Sequence, residues 1–313
     1  MTGKKLLYFD CFSGISGDMT IAALLDTGWS LEWLEAQLQA LPLDEEYKLS
    51  LDKVVKNGIS SNKFDVHYHN HTHEHHHDHD HAHDHTHEHH HGHEHAHDHT
   101  HEHHHDHDHA HDHTHEHHHS HDHAHGHTHE HHHGHDHVHG HHHRTYKDIV
   151  QLINESELND AVKELSLDMF RLIGEAEAKI HGMTLDNVHF HEVGAIDSII
   201  DIVGTAIIID ALEVDKVIFS RIPVGSGSIH IDHGVYPVPA PATLEVLKGV
   251  PLVNSSIKGE LTTPTGAAIV QALADGFSTL PAMKVEKVGY GAGTKTFKDH
   301  PNVLRVLIGE ETK

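Results

Sequence analysis

The chain has 313 residues, a formal net charge of −27 with histidine counted as neutral, and a mean hydropathy of −0.50. An acid excess of that size excludes a nucleic-acid binder or a protein of anionic membrane surfaces, since both need basic side chains to meet phosphate. The single cysteine, Cys11, excludes an intrachain disulfide and fits a reducing compartment.

In chain order, Lys5–Asp10 reads as a buried strand that runs into a turn-rich segment, Cys11–Asp18, holding Gly14 and Gly17. Asp10 breaks the apolar N-terminal run before a signal-peptide core is formed. A helix is expected over Met19–Leu25 with Asp18 near its N-terminus, and a second over Leu31–Leu41, stopped by Pro42. Tyr47–Val55 and Phe64–His69 alternate apolar and polar side chains, as paired strands joined through Asn57–Gly58 would.

Between His67 and His143 the composition changes. That stretch holds 45 of the 51 histidines and 15 of the 48 acidic residues, with no lysine or arginine, so the remainder carries 33 acids against 21 bases. So polar a segment cannot offset the entropy of ordering itself and is expected to be disordered when metal-free. HDHTHEHHH recurs at 83–91, 97–105 and 111–119, and Thr72, Thr86, Thr100, Thr114 and Thr128 are spaced by 14. No apolar seam accompanies the period, so it reads as expanded low complexity rather than a coiled coil. Neutral imidazole suits Ni, Cu, Zn and Fe, and the interleaved carboxylates add weaker oxygen ligands. The densest expected ligands are the triplets His75, His76, His77; His89, His90, His91; His103, His104, His105; His117, His118, His119; and His131, His132, His133. Nothing in the tract fixes a geometry, so it reads as a store or concentrator of metal, the alternative being a neutral expansion whose metal binding is incidental. It divides the chain into a first folded part, 1–66, the insertion, 67–143, and the remainder of the fold, 144–313.

After the tract, Tyr146–Asn154 and Asp160–His181 have helical spacing, and Val188–Val193 is a short extended piece. Ala195–Glu213 is an almost wholly apolar helix, expected to be central. Asp197, Asp201, Asp210 and Glu213 interrupt it, so it is a buried helix rather than a membrane span. Strands are expected over Lys216–Pro223, Pro251–Ile257, Lys284–Tyr290 and Val303–Ile308, with helices over Ala240–Lys248 and Pro264–Ala274. The whole predicts an α/β or α+β domain: a mixed sheet with flanking helices, interrupted by the long His-rich insertion.

Two segments carry the strongest chemistry. In HFHEVGAIDSIID, extended backbone turns His189 and His191 to one face, as two ligands of one metal, and Glu192 to the other. Asp197 and Asp201 lie one helical turn apart near a helix start. The alternative is that the histidines bond within the core and the aspartates cap the helix. Position 195 is alanine, so the HExxH pattern of zinc proteases fails. In DCFSGISGDM, a strand, a glycine turn and a helix start form an anion site at which Ser13, Gly14, Ser16 and Gly17 can meet a phosphate, with Asp10 and Asp18 free to hold a hard cation. A plain βα turn capped by Asp18 is the alternative. Thr263, Thr265 and Gly266 of TTPTG start another helix whose N–H groups can face a ligand. GSGSIHIDHG gathers His230, Asp232 and His233, and GYGAGTKT resembles a P-loop only superficially, because Lys295 does not follow a glycine. Ordinary turn chemistry explains each of these as well, and Cys11 reads as an inert buried thiol.

YFDCFSGISGDM, HFHEVGAIDSIID, HGVYPVPAPATLEVL, LTTPTGAA and GYGAGTKTF–PNVLRV, in this order, resemble the LarC nickel-insertion proteins. The resemblance spans nearly all of the chain outside the tract, and a His-rich internal loop in this place is typical of the family. It implies a chelatase that inserts Ni(II) into pyridinium-3,5-bisthiocarboxylic acid mononucleotide, completing the nickel-pincer cofactor of lactate racemase, with CTP and Mn(II) or Mg(II) required. His189, His191, Glu192, Asp197, Asp201, Asp10 and Asp18 are then the candidates to hold metal and take up the displaced ring proton. Family members continue into a C-terminal domain associated with nucleotide binding and oligomer assembly, which this sequence does not show. The expectation is therefore a cytoplasmic insertase or its N-terminal nickel-binding subunit, acting with a separate C-terminal chain and supplying a lactate racemase-type apoenzyme, a homo-oligomer being open. Nickel storage or a metallochaperone is the rival class, and a dinuclear hydrolase ranks last.

Overall fold

The computed structural model describes residues 3–43, 47–68, 144–190, 195–231 and 234–312. The histidine triplets of the tract, with His191, Glu192, Asp232 and His233, lie outside the described residues.

The chain begins with β1 (Lys5–Asp10), α1 (Gly17–Leu25), α2 (Leu31–Leu38) and the hairpin β2 (Tyr47–Lys56) and β3 (Ile59–Tyr68). Asn57 and Gly58 both have positive φ at its tip, as a two-residue hairpin turn requires. After the tract come α3 (Tyr146–Glu155), α4 (Asp160–His181), a 3₁₀ turn at Leu185–Asn187 and α5 (Ile196–Leu212). β4 (Lys216–Phe219), β5 (Ile222–Pro223), β6 (Gly225–Ser226), β7 (Ser228–Ile231), β8 (Gly234–Pro237) and α6 (Pro241–Val246) follow. β9 (Leu252–Val253), β10 (Gly259–Glu260), α7 (Pro264–Leu273), β11 (Gly276–Phe277), β12 (Met283–Ala292) and β13 (Val303–Glu311) complete the order.

Among the described residues, seven strands form one mixed sheet in the order β11-β4-β1-β13-β12-β3-β2. β4 runs parallel to β1 and β11, β13 antiparallel to β1 and β12, and β3 parallel to β12. The expected mixed sheet with flanking helices is thus present. β1 shows how its faces are divided: Leu7 and Phe9 belong to the main core beneath the helices, while Leu6 and Tyr8 join Ile218 and Leu307 in a smaller cluster. That is the two-residue alternation of a strand buried on both sides.

α5 is the central helix the sequence announces, with Ile199, Ile200, Ile202, Val203, Ala206 and Ile208 fully buried. It packs against α1, α2, α4 and α7. α1 lies directly on β12, which runs two residues beyond the strand expected over Lys284–Tyr290 and so takes in the first half of GYGAGTKT. Gly289 and Gly291 are strand residues, where a Cβ would stand 2.1 Å from the Ala23 carbonyl oxygen and 2.0 Å from that of Met19. The glycines make room for a helix backbone rather than for a bend.

Other expectations shift at their ends. α2 stops at Leu38, and the chain reaches Pro42 through turn hydrogen bonds at Ala40 and Leu41. The strand expected over Lys216–Pro223 is interrupted at Ser220, whose hydroxyl accepts the Cys11 N–H at 2.9 Å, and Ile222–Pro223 pairs instead with Leu252–Val253.

Candidate functional site

Two of the turns that looked ordinary in isolation are paired with each other. The Ile15 N–H donates to the Leu261 carbonyl at 3.1 Å, and the Thr263 N–H donates to the Ile15 carbonyl at 3.1 Å. This sets the N-termini of α1 and α7 side by side. The approach requires glycine on both partners: Gly14 has a φ of +87°, and a Cβ at Gly14 or Gly266 would stand 2.0 Å from a carbonyl oxygen of the other turn. The start of α5 joins them because Gly17 has no side chain, and a Cβ there would stand 2.4 Å from the Cβ of Asp201.

Between these turns lies a cavity of about 360 Å³. Ser16 and Asp18 come from the start of α1, and Asp197, Ser198 and Asp201 from the start of α5. Glu260, Thr263, Pro264 and Thr265 come from the approach to α7, Phe64, Asp65 and Val66 from β3, and Thr294 from the loop after β12. Among the described lining residues, five carry carboxyl groups, five carry hydroxyls, and none is basic.

A helix N-terminus presents unpaired N–H groups and favours negative charge. Here those groups are taken by the protein's own side chains. The Asp18 N–H donates to the Asp201 carboxylate, the Ser198 N–H to Asp197 Oδ1 at 2.7 Å, and the Gly266 N–H to Thr263 Oγ1 at 3.1 Å. The helix starts therefore aim and anchor carboxylates at the cavity. Burial, followed by the neighbouring Asp18 and Asp197 charges, pushes the Asp201 carboxyl well above the usual carboxylate range, with Lys63 and the Asp18 N–H opposing more weakly. Lys63 is buried beside this group, pairing with Asp18 and Asp65 and donating to the Phe64 carbonyl.

Of the residues singled out from the sequence, Asp18, Asp197, Asp201, Ser16, Thr263 and Thr265 line the cavity. Gly14, Gly17 and Gly266 shape its walls, and Ser13 is buried with its hydroxyl on Asn302 Oδ1 at 3.4 Å. Asp10 is not a lining residue; it is paired with the Arg305 guanidinium through Nε at 3.0 Å and through Nη2. His189 is exposed on an extended stretch whose neighbours Val188 and Phe190 are buried, and it bridges Thr145 rather than the cavity. Phe64, Asp65, Val66, Ser198, Glu260, Pro264 and Thr294 were not singled out. Glu260 stands immediately before LTTPTG, which is the one local signal that marked it; Asp65 is a strand residue with no motif around it.

Among the described residues, no group of three His, Cys, Asp or Glu side chains is placed to hold a metal ion alone. A divalent ion at this cavity would be held by one or two carboxylates together with oxygens of water and ligand, as Mg(II) is beside phosphates. Among the described lining residues the donors are all oxygens, which fits Mg(II) or Mn(II), whereas the imidazoles of the tract fit nickel. No helix among the described residues is long and apolar enough to cross a membrane.

Residues 7–313 match the family described as nickel insertion protein. The pyridinium-3,5-bisthiocarboxylic acid mononucleotide nickel insertion protein of Geobacillus kaustophilus is 45% identical over 309 residues, covering 99% of this chain and 61% of the relative. The proteins of the same name from Clostridium kluyveri and Clostridium acetobutylicum are 42% and 45% identical, covering 99% and 98% of this chain and 63% and 64% of theirs. The chain thus spans about three-fifths of the length of these relatives. No solved structure matches it. The chain belongs to the nickel insertion protein family.

Proposed function

We propose that the chain inserts Ni(II) into pyridinium-3,5-bisthiocarboxylic acid mononucleotide, the compound named for its relatives, and that the cavity at the three helix starts is where the metal is exchanged. One observation carries this reading. Phe64, Asp65 and Val66 line the cavity, and His67, the first histidine of the tract, is the next residue of the same strand. The collector of metal and the chamber are covalently adjacent.

Insertion forms one nickel–carbon and two nickel–sulfur bonds and releases the proton of the ring carbon. Asp18, anchored by the Ser16 hydroxyl, and Asp197, anchored by the Ser198 N–H, hold metal transiently, because a pair of carboxylates at an open cavity binds cations without burying them in a closed cage. Asp201, whose proton affinity is raised by its surroundings, accepts the ring proton. Phe64 and Val66 keep water from the exchange. The same carboxylates, Asp18 and Asp197, would also hold Mn(II) or Mg(II), which would supply charge to offset the anionic nucleotide. We assign the CTP requirement and oligomer assembly to the part of the relatives that this chain does not span, and the product passes to a lactate racemase-type apoenzyme. A nickel store would need the tract alone and gives the cavity no role.

The test is anaerobic incubation of the chain with Ni(II), the mononucleotide, Mn(II) and CTP, following nickel-pincer absorbance. Asp197→Asn is expected to slow insertion by about a hundredfold, the scale of a lost catalytic carboxylate, while total bound nickel stays unchanged. Insertion by Asp197→Asn at the parent rate would remove the cavity from the reaction.

A further inference from the structure

The mononucleotide carries a phosphate, and a cavity walled by carboxylates repels it unless a cation meets it at the entrance. Among the described residues, no lysine lines the cavity, but Lys56, Lys63 and Lys295 each donate a hydrogen bond to a residue that does. Lys63 is buried and committed: its ammonium donates to Asp18 Oδ2 at 3.5 Å, to the Phe64 carbonyl at 3.0 Å and to Asp65. Lys295 is exposed, and its ammonium makes one hydrogen bond, to the carbonyl of the lining residue Glu260 at 3.2 Å.

The loop that carries Lys295 is exposed yet firmly tied. Lys56, at the tip of the β2–β3 hairpin, donates to the Thr294 and Lys295 carbonyls, both at 3.2 Å, and to Thr296 Oγ1 at 3.1 Å. Asn302 Nδ2 donates to the same Lys295 carbonyl at 2.9 Å, and the Gly293 N–H donates to the Asn302 carbonyl at 3.0 Å. Thr294, one residue away, lines the cavity. A long side chain on a loop pinned in this way loses less freedom when it grips a ligand.

We propose that Lys295 receives the phosphate of the mononucleotide at the rim of the cavity, and that Lys56 is the positioning residue that holds it there. The thiocarboxylates must lie deeper, beside the carboxylates where metal is exchanged, so the phosphate is the end left at the rim. This rests on the reading of the cavity as the mononucleotide site.

Calorimetric titration of the whole chain with the mononucleotide and with its dephosphorylated nucleoside, each with Mg(II), tests it. Lys295→Met is expected to weaken mononucleotide binding by about tenfold, the scale of one lost charged hydrogen bond, and to leave nucleoside binding unchanged. Lys295→Arg should bind both like the parent. Lys56→Met should lose part of the same phosphate-dependent affinity and speed amide exchange over residues 293–298. Parent-like mononucleotide binding by Lys295→Met, or an equal loss for nucleotide and nucleoside, overturns the assignment. If the parent chain binds neither compound, the cavity reading itself fails, and this assignment with it.

Discussion

Asp201 is held where a carboxyl group is uncomfortable, between Asp18 and Asp197 and against the bare backbone of Gly17. An unfolded aspartate titrates near ~3.9; in the fold its proton is held to higher pH. Between those two values the native state binds the extra proton, so this residue makes stability fall as pH rises. Asp201→Asn keeps an acceptor for the Asp18 N–H and removes the titration. It is expected to raise the melting temperature at pH 7 to 8 by at least about 2 °C, roughly 1 kcal/mol in a domain of this size, and to flatten the loss of stability above the acid range. A lower melting temperature at neutral pH would show that the ionised carboxylate is stabilising instead. The residue scale is also where the sequence was most informative. Asp18, Asp197 and Asp201 were marked by their place near helix starts, although capping explained them as well, and Asp10 and His189 were marked with them but do not line the cavity. Asp65 and Thr294 were not marked, since a strand residue and a loop residue reach the cavity only through tertiary packing.

Close backbone approach fixes how several of the elements meet. The pairing of the Cys11–Asp18 turn with the Leu261–Gly266 turn, and the seat of α1 on β12, both depend on glycine at positions that admit no Cβ. Gly291→Ala would place a methyl group 2.0 Å from the Met19 carbonyl and 2.6 Å from the Ala23 nitrogen, so α1 must shift. A loss of about 1–3 kcal/mol in urea unfolding is expected, the cost of overpacking a tight site, with insertion falling further because Asp18 rides on that helix. A variant as stable as the parent would show that α1 can rise without penalty. The sequence places Gly289 at the end of a strand expected over Lys284–Tyr290 and leaves Gly291 and Gly293 to a turn-rich run. Only the strand pairing of β12 with β13 shows that the period of two is a strand face. Helix identities were legible from apolar spacing throughout, whereas strand order was not, since the partner of β1 on one side is the last strand of the chain.

At the scale of the whole molecule, the proposed function divides the work between imidazoles dense enough to gather nickel and a cavity, lined by oxygens among its described residues, where nickel is exchanged. The tract could be read from composition alone. The cavity could not, because its carboxylates come from segments as far apart as residues 18, 65, 197 and 260. The division of labour between them is the central claim, and removal of residues 69–143 tests it most directly. Insertion into the mononucleotide is followed across a range of Ni(II) concentrations. The shortened chain is expected to reach the full-length rate at saturating nickel and to fall behind only when nickel is scarce. Absence of insertion at every nickel concentration, with the fold intact by circular dichroism, would place the chemistry in the tract and contradict the assignment of the cavity.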